Sequence, residues 1–88
     1  MLFVIVYSWD KEKRDEIIKR RLEKGRMVPG GVKVLGEWTA IGKRMGFEVI
    51  EAEDPKLIVQ GNLAWNDIID LDVYPVLDTE KDLLGLLK

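Results

Sequence analysis

The side chains that perform most acid–base, thiolate and zinc chemistry are missing from this chain, whose 88 residues include neither histidine nor cysteine. That removes the commonest general base, the commonest zinc ligand, any disulfide and any thiolate nucleophile. Carboxylates, guanidiniums, phenols and indoles are left, and five positions stand out as ligand-binding candidates: Tyr7, Arg26, Trp38, Glu51 and Tyr74. Arg26 lies in Gly25-Arg26-Met27-Val28-Pro29-Gly30-Gly31, where backbone N–H groups beside a guanidinium fork could cradle an anion. A strand pattern follows instead of a helix, so neither the phosphate loop nor the dinucleotide fingerprint fits. A helix cap followed by a Pro29-Gly30 turn is the simpler reading, with Arg26 the residue to watch.

Glu51 alternates with Phe47 and Val49, so it shares one side of a strand with two apolar residues. Buried without a partner it would become a candidate acid or base; paired with Arg26 or another cation it would stay ionised and structural. Trp38, like Trp65, could stack a planar ligand or fill a core or interface. The hydroxyls of Tyr7 and Tyr74 could orient a ligand or bond to backbone. Asp67, Asp70, Asp72 and Asp78 lack the loop pattern and glycine of an EF-hand, so they read as solvated charge, and no metal or other cofactor is expected.

Composition narrows the setting of this chemistry. A chain of this length forms one domain, residues 1–88, and buries only about 60 to 65% of its unfolded surface. Its 47% hydrophobic content exceeds what so small a monomer hides easily, which favours help from a partner. A net charge of -2 supplies no broad positive field for nucleic acid, and the aromatic and basic signature of an RNA-recognition sheet is missing. The run Leu2 to Tyr7 is far shorter than the roughly 20 residues of a membrane helix, and no basic leader precedes it, so a soluble, cytoplasmic protein is expected. Only Gln60, Asn62 and Asn66 carry side-chain amides, a lean toward a heat-adapted source.

The elements that must position these residues follow from periodicity. Leu2 to Tyr7 is apolar or aromatic throughout, the pattern of a strand covered on both faces. Asp10 is placed to cap a helix running to about Lys24, with Asp15–Lys19 and Glu16–Arg20 as four-residue ion pairs and a narrow stripe of Ile17, Ile18 and Leu22. In residues 32–39, Val32, Val34 and Trp38 share one side and Lys33, Leu35 and Glu37 the other, with Gly36 interrupting the first set. Residues 40–46 turn the chain into a strand over 47–53, and Asp54-Pro55 starts a second helix. Gly61 costs that helix about 1 kcal/mol, which is justified where the backbone must meet a close neighbour. A last strand over 71–77 contains Pro75 and belongs at an edge. Thr79 with Asp82 then starts a short terminal helix carrying Leu83, Leu84, Leu86 and Leu87.

This order is the α+β, ferredoxin-like βαββαβ pattern: a four-stranded antiparallel sheet with strands one and three central and both helices on one face. The first strand is greasy on two sides while the helices shelter one. A second copy of the sheet is the economical cover, so a homodimer through the helix-free face is expected.

The stretches Met1 to Val6, Gly25 to Trp38, Gly46 to Pro55 and Ala64 to Val76 resemble a group of short prokaryotic proteins known as domain of unknown function 3303, over residues 1 to about 79. The matching positions are Gly25, Arg26, Pro29, Gly31, Trp38, Phe47, Glu51, Asp54, Pro55, Trp65, Asp67 and Pro75. The resemblance implies a ferredoxin-like domain of the dimeric α/β-barrel type and carries no assigned reaction. Tyr7 stands where relatives would have an acid, Gly61 where they would have tryptophan, and the Leu83 to Lys88 ending is more apolar than theirs.

Two functions follow as expectations. One is a small-molecule binding protein, or cofactor-free enzyme, with its pocket over the helix-free sheet face. The alternative is a non-catalytic association or regulatory module. Acylphosphatase chemistry would need an arginine-bearing glycine loop after the first strand, and Tyr7 to Arg14 is not one. Because the aspartates near the last strand read as solvated charge, millimolar calcium or magnesium is expected to leave the melting temperature unchanged in a calorimetric or dye-based melt.

Overall fold

Hydrogen bonding organises the sheet about its first strand. In the computed structural model, which describes residues 1–87, β1 (Leu2–Ser8) runs antiparallel between β3 (Met45–Ala52) and β4 (Asp70–Val76). β2 (Val32–Thr39) flanks β3, giving the order β2-β3-β1-β4. The strand apolar at every position is therefore central, and Pro75 falls on edge strand β4, opposite Phe3. The helices α1 (Arg14–Lys24) and α2 (Pro55–Leu63) are the crossovers. This is the ferredoxin-like α+β arrangement, and no helix is long and apolar enough to cross a membrane among the described residues.

Register decides which residue sees which layer. Phe3, Ile5, Ile50, Ala52 and Ile58 form the buried core beneath the helices, with Val32, Val34, Leu71 and Val73 packed against it. The opposite face carries Leu2, Val4, Val6, Val49 and Val76 together with Phe47, Trp38 and Tyr74. Trp38 is 58% exposed and Tyr74 53% exposed, so that face is open in the single chain. The tail does not shelter its own leucines either: Leu83, Leu84, Leu86 and Leu87 are all exposed.

One departure from simple alternation matters most. Val34 pairs with Ile50, but Gly36 pairs with Val49, so Leu35 is an extra residue in β2. A bulge of one residue reverses every later side chain in a strand of period two. Glu37 therefore lies opposite Glu48 on the helix-covered side, and Trp38 lies opposite Phe47 on the open side. The expected grouping of Trp38 with Val32 and Val34, and of Glu37 with Lys33, is corrected by this single insertion. Gly36 makes the bulge practical, since a Cβ there would meet the ring of Trp38.

Local signals place the start of α2 but not every helix end. The Asp54 carboxylate accepts from the Lys56 N–H at 3.0 Å and Pro55 opens α2, as the dipeptide predicts. α1 differs: the Asp10 side chain caps nothing, a 3-10 turn over Lys11–Lys13 comes first, and the α-helix begins at Arg14. Arg20 pairs with Glu16 as expected, whereas Asp15 pairs with Arg14 and not Lys19. At the end of the chain the cap is Asp78, accepting from Lys81 at 2.9 Å, and the segment winds as a π-helical turn and then a 3-10 turn in place of an α-helix. Gly85 in its last turn favours that irregularity.

Gly46, buried and opposite Tyr7, has no room for a side chain because a Cβ would enter the tyrosine ring. Gly46→Ala is expected to displace that ring and destabilise the fold by about 1–3 kcal/mol in urea titration, with Gly42→Ala, in open space, nearly neutral.

A candidate functional site beneath the first helix

α1 buries none of its residues, and Leu22 of its apolar stripe is 81% exposed. Polar struts hold the helix instead. Arg20 makes a bidentate pair with Asp67 at 2.7 and 2.8 Å, donates to the Ala64 carbonyl at 2.9 Å and lies over the Trp65 ring. These hydrogen bonds hold the Asp67 carboxyl down at about 2. A helix held at its polar rim need not collapse onto the sheet. A cleft of about 570 Å³ lies between them, with an apolar floor and walls that include Ile5, Ile17, Ile50, Leu57, Ile58 and Leu71. That is within the usual size of small-molecule sites.

The polar end of the cleft centres on Glu37. Its carboxylate accepts from Arg21 at 2.7 and 3.2 Å, from Arg26 Nε at 3.2 Å and from the Tyr7 hydroxyl at 3.0 Å. The Arg21 hydrogen bonds, with those of Tyr7 and Arg26, outweigh burial and hold its carboxyl down at about 2. The Tyr7 hydroxyl is pushed up, by burial first and then by the neighbouring Glu37 charge.

Glu48 lies directly across the β2–β3 ladder from Glu37, half-buried, with no hydrogen-bond partner among the described residues. Burial raises its pKa, and the like charge of Glu37 raises it further against the opposing pull of Arg26 and Arg21. The proton affinities of two adjacent carboxylates are thus driven apart, that of Glu37 down and that of Glu48 up. Such divergence separates acid–base roles in enzyme sites. Trp9 also lines the cleft, stacked on Tyr7 with ring centroids 6.1 Å apart, and its indole N–H is buried without an acceptor.

The loop that delivers Arg26 is a cap and a turn. Gly25 ends α1 at φ 68°, Val32 N–H closes back on the Pro29 carbonyl at 3.2 Å, and Gly31 takes φ 92° against Leu57. Met27 holds φ 56°, uncommon for a residue with a side chain, and lines the cleft. Trp65 fixes the loop by donating its indole N–H to the Arg26 carbonyl at 3.0 Å, and Gly61 of α2 admits Pro29 where a Cβ would stand 3.3 Å away.

Of the five residues singled out in the sequence, Tyr7 and Arg26 meet at Glu37. Trp38, Glu51 and Tyr74 belong to the other face of the sheet, where Glu51 is exposed and pairs across strands with Leu2 and Lys33. Arg26 is paired with Glu37 and not with Glu51. Sequence reasoning missed Trp9, Arg21, Glu37 and Glu48. The signal for Glu37 was Gly36 interrupting an alternating strand, which marks a bulge; Glu48 had none of its own.

Fold and cleft together define an α+β ferredoxin-like domain with a half-buried acidic pair under its first helix. The family model described as "Domain of unknown function (DUF3303)" matches residues 1–83, and the chain belongs to that family. A search of curated proteins finds no match.

Because Glu37 has a folded pKa below its unfolded one, its stabilisation is complete above about pH 4.5 and is lost as pH falls toward 2. Glu37→Gln is expected to cost about 1–3 kcal/mol at pH 7 and to flatten the acid limb of stability against pH, measured by urea titration at several pH values. Glu48 has the opposite sign: its folded pKa is raised, so its cost appears as pH rises through that value. Glu48→Gln is therefore expected to raise the melting temperature at pH 7.

Proposed function

We propose that this protein binds a small, largely apolar molecule in the cleft beneath α1, and that it works as a homodimer joined through its helix-free sheet face. The observation that carries the first part is the pairing of an apolar cleft with a built polar end, where Glu37 is fully engaged and Glu48 is not. The sequence places the pocket over the open sheet face; the cleft supports moving it to the helix side. Cofactor-free chemistry suits a site whose polar groups are carboxylates, guanidiniums, a phenol and an indole.

Exposed Trp38, Phe47 and Tyr74 on the open face support the second part. They equally favour the alternative, a non-catalytic association module in which that face is the whole function. The family carries no assigned reaction that would choose between them.

The three tryptophans make the choice measurable, since Trp9 lines the cleft and Trp38 lies on the open face. In a nitrogen–proton correlation NMR screen of apolar fragments, binders are expected to shift the Trp9 indole and the Glu37 and Glu48 amides while leaving Trp38 in place. Shifts confined to Trp38 would replace this reading with the association module. Light scattering after size exclusion at micromolar concentration is expected to give twice the chain mass, falling to the monomer in Trp38→Glu.

A further inference from the structure

The polar end of the cleft has a donor and acceptor inventory that does not close on itself. Glu37 is saturated by Arg21, Arg26 and Tyr7. Glu48 beside it has no protein donor, and Arg26 commits only its Nε–H, leaving both Nη groups without a protein acceptor among the described residues. The Trp9 indole N–H, buried, has none either. One carboxylate that can take a proton thus shares a largely apolar cleft with N–H donors that can receive a new negative charge. The charged groups lining the cleft are Arg14, Arg21 and Arg26 against Glu37 and Glu48; Arg14 is paired with Asp15, and the other four sum to zero with Glu48 ionised. A neutral ligand therefore enters without adding net charge, and moving a proton to Glu48 leaves the total unchanged, because the charge passes to the ligand.

We propose that the cleft takes neutral, mainly apolar carbonyl compounds with an acidic C–H and interconverts their keto and enol forms, Glu48 carrying the proton while Arg26 and Trp9 hold the oxygen. This rests on the cleft being the ligand site. In the forward step a Glu48 oxygen forms an O–H bond as the substrate C–H bond breaks. The C–H electron pair becomes the C=C bond, and the carbonyl π pair moves onto oxygen as an enolate. Glu48 returns its proton to that oxygen, to the original carbon or to a conjugated carbon, and no oxidant or reductant is needed. Donors placed for a charge that develops only during reaction are the main source of rate in such sites. Glu37 is a positioning residue: it fixes Arg21, Arg26 and Tyr7, and its charge keeps Glu48 basic enough to accept.

The test uses the intact protein with 1-tetralone and 2-tetralone, bicyclic ketones with exchangeable C–H groups. Loss of the α-proton signal in deuterium oxide is followed by NMR, and binding is read from the Trp9 indole and the Glu48 amide. Wild type is expected to accelerate exchange, with a rate that rises as pH passes through the Glu48 titration. Glu37, Tyr7, Arg21 and Arg26 face that titration, from β2, β1, α1 and the loop after it, and Arg14 of α1 also lines the cleft. Glu48→Gln should retain binding and lose about 100-fold or more in rate together with that pH dependence. Trp9→Phe, followed by the Glu48 amide, should lose about 100-fold with the fold intact by circular dichroism. Ile41→Ser, fully exposed in the turn between β2 and β3 and outside the cleft, should change nothing. Binding in the cleft without accelerated exchange, or an unchanged rate in Glu48→Gln, overturns the proton-transfer assignment and leaves the ligand site standing. If neither ketone perturbs a cleft resonance up to its solubility limit, both readings fall.

Discussion

The carboxylate of Glu37 joins more of this molecule than any other group. It belongs to β2 and is gripped by Arg21 from α1, by Arg26 from the loop that follows, and by Tyr7 from the central strand. Four segments of the chain meet at two oxygen atoms. Charge-assisted hydrogen bonds at a partly buried position are the stronger kind, and removing one partner strands the others. Because α1 is tethered by this carboxylate and by the Arg20–Asp67 pair, its apolar stripe need not be driven into the sheet. The cleft is the space those tethers leave.

The same arrangement sets the chemistry of its neighbour. Glu48 faces an anion across one rung of the ladder, and the opposing pull of Arg26 and Arg21, both hydrogen-bonded to Glu37, offsets this only in part. Burial and like charge then act together in raising its proton affinity. A carboxylate held in that state weakens the native fold as pH rises through its titration. In a chain without histidine, the environment of a glutamate is what raises a side chain's proton affinity above its ordinary value.

Polarity is distributed over the two sheet faces in an unusual way. The covered face carries Glu37, Glu48 and Tyr7, half-buried beside its core, while the open face displays Trp38, Phe47 and Tyr74 along with Lys33, Glu51 and Asp72. Charges are placed where dielectric screening is weakest and pairing strongest; aromatics are placed where another surface can use their area. The bulge at Leu35 sets the part of this pattern that β2 contributes, since the residue that turns Glu37 inward turns Trp38 outward.

What the sequence determined by itself was the framework. Unbroken apolarity over Leu2 to Tyr7 made β1 central, Pro75 put β4 at an edge, Asp54-Pro55 started α2, and Gly61 announced the close approach that Pro29 makes. Each is a local signal acting through backbone geometry or period, and each survives folding unchanged. Tyr7 and Arg26 were also legible, as a phenol on the central strand and the guanidinium of a glycine-rich turn. Only the tertiary structure decided what they meet. One extra residue in β2 exchanged the faces of Glu37 and Trp38, and the pairing of β2 with β3 set Glu48 beside Glu37. Periodicity is blind to an inserted residue until a partner strand counts it, and a carboxylate's proton affinity depends on neighbours that only the folded chain assembles.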